Sequence, residues 1–160
     1  MSIIRYKELS ISEVIEESTL IVEVEAIGPF QEEVPIVNRE ANSSSANPIP
    51  PFIKKGYTFK VKNVLKNKGD QVPEAINVPN ENWRRALSQH KEAHANGPSK
   101  SFTVPEYKSD VKSIAKATVL FLNHFQGMYD LTAATAFENK AALEKINMIL
   151  HPAKIIPKNS

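Results

Sequence analysis

The chain has 160 residues, of which 41% are hydrophobic and 24% charged, and it has no cysteine. This is the size and balance of one soluble globular domain that can bury its own core. Disulfides and thiolate chemistry are excluded, and the longest apolar runs, such as 119–122, fall far short of the ~20 residues that span a bilayer.

The formal net charge of +2 is spread unevenly. Residues 1–40 carry nine glutamates against Arg5, Lys7 and Arg39, a net of −6. Residues 54–68 carry six lysines and no acid. Such asymmetry marks either a partner surface or two solvated faces of one domain. The opening "MSIIRYKELSISEVIEES" lacks the basic start and long apolar run of a secretory leader. A cytoplasmic location is expected, with secretion still open for a chain that has lost a leader.

In chain order, Ser10-Ile-Ser-Glu13 reads as a capping box opening a helix of about two turns. "TLIVEVEAI" alternates: Leu20, Val22, Val24 and Ala26 share one face, and Glu23 and Glu25 the other, a half-exposed strand. Gly28-Pro29 is expected to end it. Residues 30–55 hold four prolines and a Ser-Ser-Ser run, so a long irregular loop is expected, with 34–37 able to pair briefly at an edge. "GYTFKVKNVLKNKGD" is the clearest strand, with Tyr57, Phe59, Val61 and Leu65 on its core side. "AINVPN" reads as a short strand stopped by Pro79.

A helix over about 83–95 follows, capped by Asn80 or Asn82 and stopped by Gly97-Pro98. "SFTVPEYKS" is ambiguous, because Pro105 interrupts strand-like residues. "ATVLFLNHF" is apolar on both faces and reads as a buried central strand. "QGM" is a tight connection to "YDLTAATAF" as hairpin partner. "ENKAALEKINMIL" closes the domain as a helix with Ala142, Ile146, Ile149 and Leu150 on one face. The expected fold is α+β: one domain over 1–152 built on an antiparallel five- or six-stranded OB-like β-barrel with flanking helices, then a tail at 153–160.

The run "SEVIEESTLIVEVEAIG … YTFKVKNVLKNKG … INV … ATVLFLNH … YDLT" resembles a group of bacterial OB-like domains of unknown function. It is similar in layout to the netrin-like, or tissue metalloprotease inhibitor, barrel. In that layout a strand ends near Leu65-Lys66, a "VLFL" strand follows at 119–122, and Tyr129-Asp-Leu131 closes. The resemblance implies a fold rather than an activity. That family's inhibitory device, an amino-terminal cysteine chelating a protease zinc, has no counterpart in a chain without cysteine.

His90 and His94 are four residues apart on the expected helix, about 40° apart around its axis. The spacing suits two zinc ligands. The zinc-protease pattern places its glutamate beside the first histidine. Lys91 holds that place here, and Glu92 is turned about 200° from the pair. Trp83, Leu87, His90 and His94 also make an amphipathic stripe, the structural alternative. Further donors for a metal would be Glu106, Asp110, His124 or His151, and no spacing links them. No phosphate loop, dinucleotide fingerprint or nucleophile elbow is present.

The function expected is a non-enzymatic protein-binding module of adaptor, immunity or inhibitor type, without a cofactor and without a membrane partner. Its candidate binding residues are Lys54, Lys55, Lys60 and Lys62 on the strand and Trp83, Arg84 and Arg85 on the helix, beside the 30–55 loop. The alternatives are single-stranded nucleic-acid binding through the same cations and zinc binding through His90 and His94.

Overall fold

The computed structural model describes residues 3–35, 50–69, 71–80, 86–90 and 101–152. The protein is α+β. β1 (Ile3–Leu9) leads into α1 (Ile11–Glu17), followed by β2 (Leu20–Val34), β3 (Phe52–Asn67), β4 (Ala75–Pro79) and β5 (Ser101–Tyr107). A 3-10 turn at Ile114–Lys116 precedes β6 (Val119–Phe125), β7 (Met128–Leu131) and β8 (Phe137–Glu138). A second 3-10 turn, Lys140–Ala142, runs into α2 (Leu143–Leu150). The main sheet has the order β4-β3-β2-β6-β7, all antiparallel, with β8 also paired to β6. β1 and β5 form a separate parallel pair.

The capping box forms as the sequence predicts. Glu13 N–H donates to Ser10 Oγ (3.1 Å), and Ser10 N–H donates to Glu13 Oε1 (2.9 Å). These bonds to Ser10 hold the Glu13 carboxyl below its usual range. At the other end of α1, Lys66 Nζ donates to the carbonyls of Ile15 (2.7 Å) and Glu16 (3.2 Å), a cation placed where the helix leaves unpaired acceptors. Burial, and then the neighbouring Lys68, push the Lys66 ammonium below its usual pKa. Ser18 Oγ donates to the Val14 carbonyl at 2.6 Å, so its contact with Thr132 Oγ1 at 2.7 Å must be one that it accepts. These bonds pin the short helix onto the start of β2.

The core lies where β2, β6 and β3 meet. Leu20, Ile21, Val22, Val119, Leu120, Phe121, Leu122 and Phe59 are all fully buried, and Ile146 of α2 closes over them. Burial of β6 on both faces matches its unbroken apolar run. Three register shifts interrupt the β2–β3 ladder and leave Leu65, Lys62 and Ile27 without a partner opposite. Each bulge adds local twist, and the sheet curls. Its two end strands, β4 and β7, come within 8 Å Cα to Cα, with no ladder joining them.

One sequence expectation is corrected. The prolines and serines of 30–55 predict an irregular loop, yet β2 runs on to Val34 and β3 begins at Phe52. Gly28-Pro29 does not end the strand. The bonds Asn80 N–H to Lys55 O and Val61 N–H to Glu74 O turn the odd residues of β3 towards β4, so its even residues face β2. Even residues of β2 from Gly28 onward then face β3. Pro29 therefore turns its missing donor to the open edge, where a proline is tolerated.

The structure also resolves the ambiguity of "SFTVPEYKS" and pairs it with the N-terminus. Residues 3–9 are a strand, and Pro105 sits inside β5 in register with Lys7. Ala134 N–H donates to the Pro105 carbonyl, and Tyr107 N–H to the Ala134 carbonyl. Pro105 thus turns away from β1, to a side where only its carbonyl is used.

Candidate functional site

The distal half of the β2–β3 hairpin, 25–34 against 52–60, gathers most of the predicted binding residues that the structure describes. Beyond Glu23, β2 pairs with no second strand among the described residues. Only Val24 N–H reaches across, to the Thr118 carbonyl.

The acidic strand lies against the basic one. Glu25 is opposite Lys60 and Glu32 is opposite Lys54. Lys54 Nζ is 3.6 Å from Glu32 Oε1, with the lysine side chain 14% exposed and the glutamate 60%. Part of the charge asymmetry of the two sequence segments is therefore a cross-strand juxtaposition. Lys62 is exposed at a bulge. Lys55 is exposed, lies opposite Gln31, and has no ion-pair partner among the described residues. Trp83, Arg84, Arg85 and His94 lie outside the described residues.

Gly56 shapes this region. A Cβ there would lie 2.0 Å from the Val78 carbonyl oxygen, 2.6 Å from Pro79 Cα and 2.8 Å from Phe30 Cε1. Glycine lets β4 approach β3 and lets the Phe30 ring lie over the strand. An open groove of about 390 Å³ results, lined by Pro29, Phe30, Gln31, Lys55, Gly56, Tyr57 and Asn80. Tyr57, expected on the core side by alternation, is half-buried, packs against the core and also lines this groove. A second groove of about 410 Å³ fills the gap between β4 and β7. It is lined by Phe30, which borders both grooves, and by Ile76, Asn77, Met128 and Tyr129, with the Lys54–Glu32 pair at one end.

His90 lies on the described helical residues 86–90. Its Nε2 is 2.6 Å from the Pro50 carbonyl oxygen, and its ring lies 5.8 Å from that of Phe52. A carbonyl only accepts, so Nε2 carries the proton and is not a lone pair offered to a metal. Among the described residues, no group of three or more His, Asp or Glu is arranged to hold a metal ion. His124 is a packing residue. Its Nδ1 is 2.9 Å from Thr19 Oγ1, its ring stacks on Tyr129, and its buried Nε2 faces Gly69 with no hydrogen-bond partner among the described residues.

One buried polar pair was missed by the sequence reading. The Tyr107 hydroxyl donates to Glu138 Oε2 at 2.6 Å, and Glu138 Oε1 accepts from Asn139 N–H at 3.2 Å. Both side chains are nearly inaccessible. Burial first, then the Glu138 bond, push the Tyr107 hydroxyl well above the usual tyrosine pKa. The pair ties the end of β5 to β8. Phe30, Gln31, Gly56 and Asn80 were also missed; the signal available was a glycine inside a strand pattern.

Comparison with protein-family models, curated proteins and solved structures finds no match. No helix among the described residues is long and apolar enough to cross a membrane.

Proposed function

We propose that the chain is a non-enzymatic protein-binding module, cytoplasmic, built on a partly open OB-like barrel of the kind its sequence resembles. The curled six-stranded sheet with an unladdered seam between β4 and β7 supports the barrel reading. The open edge of β2 carries the functional one. An unpaired strand edge is a template for a partner strand. This edge is guarded against indiscriminate pairing by Pro29, by the bulge at Ile27 and by Glu25, Glu32 and Glu33. From Phe30 to Val34 it stays regular, with the backbone groups of Gln31 and Glu33 turned outward. The exposed Ile27 and Ile53 flank this stretch.

Two alternatives draw less support. Among the described residues the lysine row is interrupted at Lys54, which is paired with Glu32. His90 has committed Nε2 to a carbonyl.

The test is affinity capture from native cell extract, treated with nuclease, using the wild-type chain and Gln31→Pro. The substitution removes one outward N–H and leaves the β3 ladder intact. A stoichiometric protein held by the wild type and lost by Gln31→Pro is the expected result. Capture of a partner equally by both forms would place the interface elsewhere. Release of bound nucleic acid by salt would favour the nucleic-acid reading.

A further inference from the structure

We infer that the groove between the ends of β2, β3 and β4 is a binding site for a single nucleotide. The inference goes beyond the strand-edge reading and does not depend on it.

The groove brings together three kinds of group. Phe30 and Tyr57 supply aromatic surface, and Pro29 extends it. Gln31 and Asn80 supply side-chain amides, both exposed. Lys55 supplies a cation. No carboxylate is among the groove's described lining residues, and Lys55 has no ion-pair partner among the described residues. Glu32 lies outside the lining, paired with Lys54. Glu33 is also outside it, opposite Ile53.

Each group matches one part of a nucleotide. A base stacks on aromatic side chains. Asn and Gln amides present the donor and acceptor pair that reads an adenine edge. A lone lysine is a point charge for one phosphate. The site is also held in place by the fold. Asn80 N–H donates to the Lys55 carbonyl at 2.8 Å, which holds the backbones of these two residues together. Gly56 keeps the floor free of a side chain, so the Phe30 ring rests over it. The volume of about 390 Å³ lies within the range for small-ligand sites.

The charge pattern selects the length of ligand. A strand of nucleic acid requires a row of unmatched cations. Here Lys54 is paired with Glu32, and Lys55 is the one cation among the groove's described lining residues. One nucleotide satisfies it.

The test is titration of the full chain, followed by amide chemical shifts, with AMP, adenosine, inorganic phosphate and an eight-residue oligothymidylate as probes. AMP is expected to move the amides of 30, 31, 55–57 and 80. Adenosine should bind about tenfold more weakly, having lost the charged contact. Lys55→Glu should weaken AMP about tenfold and leave adenosine unchanged. Phe30→Ala should weaken both; Phe30→Leu, which keeps an apolar side chain over Gly56, should weaken both as well if stacking is what the ring provides. The absence of shifts at millimolar AMP, or shifts mapping elsewhere, would overturn the site. Inorganic phosphate reproducing the AMP response would reduce it to an anion contact and overturn the nucleotide. The oligonucleotide binding a hundredfold tighter than AMP, with steep salt dependence, would overturn the single-unit reading and make a nucleic-acid strand the ligand.

Discussion

The two halves of the β2–β3 hairpin are one continuous pair of strands with opposite characters. In the proximal half, Leu20, Ile21, Val22 and Val24 are buried and the strand is paired on both edges. In the distal half, Glu25, Gln31, Glu32, Glu33, Lys55 and Lys60 are exposed, and one edge carries no partner strand among the described residues. The first half is built into the core and the second exposes charged and polar groups. Because the strands are continuous, the rigid half positions the exposed one.

Substitutions that separate these roles can break or sharpen the comparison. The largest effect is expected at Phe121, which is fully buried and packs edge-on to Tyr107 at 5.7 Å. Phe121→Ala should cost about 3–5 kcal/mol in urea unfolding. Phe30→Ala, in the distal half, should cost well under half of that. Similar losses at the two sites would erase the distinction.

Next come the glycines of the hairpin. Gly56→Ala drives a methyl into the β4 backbone and should cost about 1–3 kcal/mol. Gly28→Ala meets nothing within 4 Å and should leave the midpoint nearly unchanged or raise it. Equal effects would mean that Gly56 does not set the β3–β4 approach.

The Tyr107–Glu138 pair tests how the small β1–β5 sheet is attached. Tyr107→Phe leaves a buried carboxylate short of a donor and should cost about 1–3 kcal/mol near neutral pH. The raised Tyr107 pKa fixes the sign of a pH effect. Its contribution is fully present below the ordinary tyrosine value of about 10 and is lost as pH rises above it. Wild-type stability should therefore fall in that alkaline range, and Tyr107→Phe should lose this part of the fall.

The smallest effect is expected at the β6–β7 turn. Gln126 has φ 52° and Gly127 φ 79°, the left-handed pair of a two-residue hairpin turn. Gln126→Gly relieves about 1–2 kcal/mol of left-handed strain against about 0.4–1 kcal/mol of added unfolded-chain entropy, so it should raise stability slightly in thermal unfolding, without affecting partner capture.

Local chemistry made much of this architecture readable. The capping box, the alternation of β2, the two-faced apolar run of β6 and the Gln126-Gly127 turn each follow from short-range pattern. The tail at 153–160 lies outside the described residues. Prolines misled where they mark loops statistically but pair with only one side of a strand. Pro29 and Pro105 both turn their missing donor away from a ladder, and only the neighbouring strand's register reveals this. The β1–β5 pairing joins segments about a hundred residues apart, and no local pattern announces it. The cations of the candidate site were visible in sequence, and the glutamates that answer them were visible too. Their mutual register was not, so the lysine run read as a free patch. The groove was missed because Phe30 lay in an expected loop and Tyr57 on an expected core face.

The most direct test of the division of labour is photo-crosslinking in native cell extract, with a benzoylphenylalanine at position 31 in one variant and at Lys112 in another. Both sites are exposed, one on the open edge of β2 and one between β5 and β6. A discrete protein adduct from position 31 and none from position 112 is the predicted result. Adducts of equal yield from both, or from 112 alone, would contradict the assignment of binding to the distal hairpin.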